Sequence, residues 1–137
     1  MFVFPIERGK IREFARAALT RNPAYKARDA VIPPTYLTIA RMAWEPKDQA
    51  ATKDLGFDMR RVLHASEEYV FPDGPPKAGQ ELHCTSRIDD RYEREGRRGG
   101  TMRFAVIVTE FRTPDGVLVA EQRSTSVETS RSPKADA

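Results

Sequence analysis

The second half of the sequence alternates extended runs with turn-forming glycine and proline, and this pattern limits the possible folds more than any other feature. Prolines cannot donate to a sheet ladder, and both residue types are typical of turns. Residues 62–71 form one run, which ends at a proline-rich block. A second run begins after Gly79, and four of its alternate residues share one face: Leu82, Cys84, Ser86 and Ile88.

Two further runs flank the turn signal Pro114-Asp115-Gly116, and they cover residues 101–112 and 117–127. This arrangement predicts an antiparallel hairpin. The centre of the first run, residues 104–108, is apolar on both faces, which is typical of a central strand covered on each side. We therefore expect the second half of the chain to be an antiparallel sheet.

The first half of the sequence has helical periodicity instead. Between residues 6 and 19 one apolar stripe recurs at helical spacing: Ile11, Phe14, Ala15, Ala18 and Leu19. Asn22, which tolerates a left-handed cap, and Pro23 are expected to end this helix. After Pro33-Pro34 a second pattern, poor in charged residues, predicts a buried helix with these residues on one face: Tyr36, Ile39, Ala40 and Ala43. Residues 46–61 are expected to form a surface loop with short helical turns.

Two helices followed by an antiparallel meander define the fold class as α+β, with the uncharged helix lying across the concave face of the sheet. The length of 137 residues suits one compact domain. We assign residues 1–129 to this domain and predict that residues 130–137 are disordered.

Composition narrows the range of functions. The formal charge of +3 is a small excess and only weakly favours an anionic ligand. With one cysteine, Cys84, and two separated histidines, His64 and His83, the sequence predicts no disulfide, no metal site and no cofactor. No apolar run approaches the roughly 20 residues of a membrane helix. The N-terminus lacks the pattern of a secretory signal, so we expect a cytoplasmic protein without membrane or nucleic-acid partners.

Several motifs occur in an order that is similar to a known family. They comprise residues 64–71, 77–82 and 99–102, followed by Asp115-Gly116. In this order, together with the entry to the second helix at Pro33-Pro34, the chain resembles the N-terminal-type, fatty-acid-synthase-type domain of MaoC-like dehydratases. The resemblance implies a hot-dog fold, in which a curled antiparallel sheet wraps around a central helix. It also implies reversible hydration of enoyl thioesters carried by coenzyme A or by an acyl carrier protein.

Catalytic members of that family carry an aspartate two residues before an Asn-Pro pair and a histidine two residues after it. This chain retains Asn22-Pro23, but Thr20 and Tyr25 occupy the two positions. The threonine side chain has no group that acts as an acid at neutral pH, and an unperturbed tyrosine has a pKa of ~10. The resemblance therefore implies an accessory, substrate-shaping subunit that forms a heterodimer with a catalytic MaoC-like subunit, with a homodimer as the alternative.

His64 is the other catalytic candidate, because histidine titrates near neutrality. The sequence shows no acid partner for it, which favours a structural hydrogen bond near the end of a strand. The resemblance also suggests residues that contact the acyl thioester: Asn22, Tyr25, Tyr36, Ile39, Ala40 and His64. For Tyr25 and for the helical stripe, packing is the more common role of such residues.

Two alternatives to the accessory subunit stay open. The chain could be a self-sufficient hot-dog hydratase that uses His64, or an acyl-CoA thioesterase. It could also be a module that binds acyl thioesters or nucleic acid, although it lacks the stacking aromatics of a single-strand binder. Four arginines between the second and third runs could bind phosphate, but interleaved acidic residues favour a solvated hairpin end: Arg91, Arg94, Arg97 and Arg98.

Overall fold

A computed structural model describes residues 1–97 and 99–130. Its main feature is one antiparallel sheet of five strands, which are β1 (Phe2–Pro5), β2 (Val62–Val70), β3 (Glu81–Glu95), β4 (Thr101–Arg112) and β5 (Leu118–Glu128). The strands lie in the order β1-β3-β4-β5-β2. One α-helix, α1 (Arg8–Ala17), and several short helical turns complete the fold. The chain has the predicted hot-dog architecture, a curled antiparallel sheet with few helices.

The four predicted strands are present, and the predicted hairpin joins β4 to β5. Thr113 closes its turn, because the hydroxyl of Thr113 accepts a hydrogen bond of 3.0 Å from the N–H of Val117. Gly116 has a positive φ of 94°, which glycine adopts without strain. The strand β3 extends further than expected, to Glu95, so Arg91 and Arg94 lie in the strand and not in a loop.

The first strand, β1, was not predicted. It pairs antiparallel with β3 and brings Phe2 and Phe4 into the core, while Val3 faces outward. Four residues are too few for alternation to be distinguished from chance, so this segment carries no usable periodic signal. The strand β1 forms one edge of the sheet, and β2 forms the other.

The helix α1 is shorter than the predicted range of residues 6–19. Its stripe buries Ile11 and Ala15, whereas Leu19 is exposed. The helix ends in a Schellman motif, in which the N–H of Thr20 bonds to the carbonyl of Ala15 and that of Leu19 bonds to Arg16. The left-handed residue is Leu19, with φ 55°. The prediction that Asn22 supplies this cap was wrong, because the helix has already ended before it.

The predicted central helix is irregular. Residues 34–44, which we call the central segment, begin with 3₁₀-type bonds and end in a π-helix, Ala40–Trp44, closed by a bond from the N–H of Glu45 to the carbonyl of Ala40. Tyr36 and Ala40 are fully buried as predicted, but Ala43 is exposed. The wider π turn rotates Ala43 away from the core, which a constant 3.6-residue period cannot anticipate.

Two apolar clusters cover the concave face of the sheet. In the larger one, β1, α1 and the central segment pack against the beginning of β3 and the end of β4. This cluster includes Phe4, Ile11 and Phe111. The smaller one packs Ala51 and Leu55 from the loop before β2 against β4. This loop contains the expected short turns, Ala51–Asp54 and Met59–Arg61.

A row of polar side chains crosses the sheet on the same concave face. It consists of four residues that face one another on neighbouring strands: Ser86, Thr109, Gln122 and Tyr69. Thr109 and Gln122 are 0% and 2% exposed. Buried polar groups are costly unless they are hydrogen-bonded, so this polar row is a feature that core packing alone does not explain.

Some sequence expectations lie partly outside these observations. Arg98 and residues 131–137 of the predicted disordered tail are outside the described part of the chain. Within the described ranges, α1 is the longest helix, and no helix has the length and hydropathy of a membrane span. The cytoplasmic location stays a prediction.

Cys84 is buried, and burial raises the pKa of its thiol to about 12, so the thiol stays protonated.

Candidate functional site

A large cavity lies between the central segment and the β2 edge of the sheet, with a volume of about 730 Å³. Its helical wall includes Thr35, Thr38 and Met42, and its sheet wall comes from β2 and β5. Four polar side chains form the sheet wall together with Ser124: His64, Glu67, Tyr69 and Gln122. Cavities of this size hold small organic ligands.

His64 has an acid partner, contrary to the expectation from the sequence. Nε2 of His64 lies 2.7 Å from a carboxylate oxygen of Glu67. A β-bulge at Ala65 brings them together, because His64 pairs with Ser126 while Ser66 already pairs with Thr125. Residues three apart on a regular strand point to opposite faces, and one extra residue restores the same face.

Gln122 holds the other oxygen of that carboxylate. Its side-chain N–H₂ donates to Glu67 at 2.5 Å and to the hydroxyl of Tyr69 at 3.4 Å. The Tyr69 hydroxyl is in turn hydrogen-bonded to the hydroxyl of Thr38 on the central segment. Burial raises the pKa of Tyr69 to about 12, so the phenol is neutral at physiological pH. The network therefore links both walls of the cavity.

This arrangement has one chemical capability. A carboxylate that is itself held by a second group orients an imidazole, and an oriented imidazole can accept or deliver a proton. The His64 side chain is 59% exposed, however, and stands at the open edge of the cavity. Solvent competes with any substrate at this position unless another surface covers it.

The two positions of the missing dyad lie in a different pocket of about 280 Å³, which shares no lining residue with the large cavity. Thr20 accepts a hydrogen bond from the N–H of Asn22, and Asn22 caps the short turn Pro23–Tyr25 by accepting from the N–H of Ala24 at 3.0 Å. Tyr25 is partly buried against the larger core cluster. Among the described residues that line this pocket there is no carboxylate and no imidazole.

The predicted acyl-contacting residues of the central segment are mainly core residues. Tyr36 is fully buried and packs against Phe4 and Phe14, with ring centroids 6.0 and 5.6 Å apart. Ala40 and the partly buried Ile39 belong to the same cluster. None of the three lines the large cavity, whose wall is built from their neighbours in the chain. Their contact with an acyl chain stays a prediction.

Known proteins share both the sequence pattern and the architecture of this chain. A family model described as FAS1-like, dehydratase domain region matches residues 2–122. The chain belongs to this family. A UPF0336 protein of Saccharopolyspora erythraea is 30% identical in an alignment of 135 residues. The alignment covers 90% of this chain and 81% of that relative.

Two solved structures extend the likeness to the whole fold. A truncated HadBC complex from Mycobacterium tuberculosis, a 3R-hydroxyacyl-ACP dehydratase, matches with a TM-score of 0.73 and 26% identity, over 91% of this chain and 89% of that one. A MaoC-like dehydratase matches with a TM-score of 0.75 and 20% identity, over 94% of this chain and 40% of that one. The resemblance inferred from the motifs is therefore confirmed.

The FAS1-like dehydratase fold also shows which residues the sequence did not reveal. The network around His64 is completed by Glu67, Gln122 and Thr38. A pattern of alternating residues does not place Glu67 on the same face as His64, because it does not allow for the bulge. Gln122 and Thr38 are distant from His64 in the sequence. The three cations of the smaller pocket were also missed: Arg12, Arg16 and Lys26. A count of charges along the chain would have found them.

Proposed function

We propose that this chain is an accessory, substrate-shaping subunit of an (R)-specific enoyl-thioester hydratase or 3-hydroxyacyl-thioester dehydratase. The proposal depends on Thr20 and Tyr25 at the dyad positions of a dehydratase-family fold. Hydration requires a group that deprotonates water and a group that delivers a proton to the α-carbon. A threonine and a tyrosine replace the aspartate and histidine at these positions, so in this proposal a second subunit provides both groups.

The large cavity supports the substrate-shaping role. Its lining combines apolar groups such as Met42, Ala43 and Ala50 with the network around Glu67, and it opens beside the β2 edge. An acyl chain needs an apolar channel, and its thioester needs a few polar contacts. A second hot-dog subunit placed against β2 would close the open side and exclude water from the bound acyl thioester.

The β2 edge supports the partner. An edge strand leaves one row of backbone N–H and C=O groups unpaired, and such a row pairs readily with another chain. Two large apolar side chains of β2 are exposed, Leu63 by 54% and Val70 by 45%. Met42, which lines the cavity, is 81% exposed. The similar HadBC structure is itself a complex. We therefore expect a catalytic MaoC-like subunit to pair at β2.

Assembly and activity test the proposal together. The chain alone should not hydrate crotonyl-coenzyme A, whereas its complex with a MaoC-like subunit that retains the Asp and His motif should. Leu63→Glu should prevent co-elution of the two chains in gel filtration. Val117→Glu is the matched control, because Val117 is equally exposed but lies in the β4–β5 turn. Hydration by the chain alone, at the rate of the complex, would contradict the accessory role.

A self-sufficient enzyme is the second candidate, and the His64–Glu67 pair favours it. His64→Ala in the chain alone separates the two candidates when both hydration and thioester hydrolysis are assayed. His83→Ala is the control, because His83 lies 3.8 Å from Glu81 and outside the cavity. Under the accessory proposal neither variant changes the background rate. A rate that only His64→Ala abolishes would establish the second candidate instead.

A further inference from the structure

Positive charge is concentrated in the segment that contains α1 and the turns after it. Residues 8–28 hold seven of the 23 lysines and arginines but only Glu13 of the 20 acidic residues. The segment therefore carries a formal charge of +6 and the rest of the chain carries −3. The seven cations, which we call the basic face, are all exposed: Arg8, Lys10, Arg12, Arg16, Arg21, Lys26 and Arg28.

These cations are almost all without carboxylate partners. Lys10 pairs with Glu13 at 2.6 Å, and the other six form no ion pair within residues 1–97 and 99–130. The stability of α1 does not account for them either. Arg8, Arg12 and Arg16 follow one another at intervals of four, where like charges repel. Arg8 and Lys10 also stand in the first turn, where the helix dipole disfavours cations.

Three members of the basic face converge on one concave site. Arg12, Arg16 and Lys26 line the pocket of about 280 Å³, together with Thr20 and Tyr25. The pocket lies just below the usual size range of ligand sites, so it suits a compact anionic group and the few atoms attached to it. Guanidinium groups bind phosphate oxygens in a bidentate manner, and lysine adds a point charge.

We infer that this pocket binds the phosphate of a phosphopantetheine arm. The inference rests on the proposed function for the identity of the phosphate carrier, because an acyl thioester in this class of reaction is borne by such an arm. Coenzyme A and a carrier protein both attach pantetheine through its 4′-phosphate, which is part of a diphosphate in coenzyme A and a phosphodiester in the carrier protein. The two guanidinium groups and the ammonium group supply the charge, and Thr20 and Tyr25 supply hydroxyl groups in the lining.

The first test compares two small molecules on the purified chain by isothermal titration calorimetry. 4′-Phosphopantetheine should bind at least tenfold more tightly than pantetheine, which lacks only the phosphate. The variant R12Q/R16Q/K26Q should lose this preference. The variant K53Q/R94Q/R97Q is the matched control, because it removes two arginines and one lysine from exposed positions elsewhere and should keep the preference. Circular dichroism establishes that both variants fold.

The second test identifies the source of the phosphate. Tight binding of coenzyme A without binding of a carrier protein indicates the free cofactor, and the reverse indicates the carrier. In the carrier experiment the phosphopantetheinylated form should bind at least tenfold more tightly than the unmodified form. Equal binding of both forms would overturn the inference, because it would mean that the basic face docks an acidic protein surface and not the phosphate.

Two other results would also overturn the inference. One is equal affinity for 4′-phosphopantetheine and pantetheine, and the other is an equal loss of binding in the two triple variants, which indicates unspecific attraction of anions. Because binding is measured without a catalytic partner, these results are independent of the subunit experiment. Phosphate binding by a chain that forms no hydratase complex would leave the pocket assignment intact and contradict only the proposed function.

Discussion

The arginines of β4 and β5 and those of the basic face are used in opposite ways. In these two strands all three arginines are paired: Arg103 with Glu128, Arg112 with Glu110, and Arg123 with Asp89. Around α1, six of seven cations have no such partner in the described ranges, and two oppose the helix dipole. Natural sequences satisfy local rules in most places and break them mainly where function requires it. The contrast therefore separates charges that stabilise the fold from charges that are free to bind.

The largest effect is expected at the most buried carboxylate of the sheet. Glu128 is 2% exposed and accepts hydrogen bonds from the N–H of Asp58 and from Arg61 and Arg103. Glu128→Gln should lower the midpoint of urea unfolding more than a substitution in α1 or on the exposed side of the sheet, because it removes the counter-charge of two guanidinium groups. The exposed Glu68→Gln is the control and should change the midpoint little.

The difference in stability between wild type and Glu128→Gln should depend on pH, and the direction of the Glu128 pKa shift predicts how. The N–H of Asp58, followed by Arg103 and Arg61, lowers the pKa of Glu128 below its ordinary value of 4.5. Stability from a lowered carboxyl pKa is fully present above the ordinary value and is lost as the pH falls through the folded one. The gap between wild type and Glu128→Gln should narrow as the pH falls from neutral to well below 4.5. A constant gap would contradict this origin.

The next effect is expected at the end of α1. Leu19 is 88% exposed and adopts the left-handed conformation, which costs an L-residue about 1 kcal/mol or more. Leu19→Gly should therefore raise the free energy of unfolding by about 1 kcal/mol. Ala17→Gly, inside the helix, should lower it by about 1 kcal/mol. Chemical denaturation measures both, and two changes of the same sign would refute the assignment of strain to Leu19.

Reversing one charge of the basic face should stabilise the protein slightly. Arg8→Glu places an anion at the N-terminus of α1 and should raise the free energy of unfolding by about 0.5 kcal/mol. Arg16→Glu makes the same substitution in the last turn and should lower it by about as much. Both effects should shrink in about 0.5 M sodium chloride, because salt screens exposed charges. Thermal unfolding at low and high salt provides the measurement.

The smallest effect is expected at Arg87, which lies 3.2 Å from Asp89 and 3.3 Å from Glu110. Each of these carboxylates keeps another arginine, Arg123 or Arg112. Arg87→Gln should therefore cost less than about 0.5 kcal/mol in the free energy of unfolding, as is usual for exposed pairs. A loss several times larger would show that the sheet charges act as one cooperative network.

The sequence predicted the sheet better than the helices, for a physical reason. Strands β2 to β5 are long and are separated by glycine and proline. The alternation within each strand and the turn residues between the strands therefore indicate the same boundaries. The short β1 had too few residues for a period. The central segment changes from a 3₁₀ to a π geometry at Ala40, and its apolar stripe fits a regular helix only up to that residue.

The candidate site was predictable only in part. His64 was identified because histidine as a residue type titrates near neutrality. Its pairing with Glu67 depends on a bulge, and no residue type in the sequence indicates that bulge. Gln122 belongs to the site only through pairing with Tyr69 on the neighbouring strand. The basic face is readable from the sequence as a run of unbalanced charge, whereas the more conspicuous Arg91 donates to the backbone carbonyls of the loop before β2.

The extra residue at Ala65 makes the His64–Glu67 pair a property of strand pairing as well as of residue type. On a strand without the bulge, the same three-residue spacing would turn His64 to the face opposite Glu67, although every side chain of the pair would be kept. A one-residue slip at the start of this edge strand is thus enough to remove the imidazole from beside the cavity. Deletion of Ala65 would instead keep the pair, because residues two apart on a regular strand face the same way.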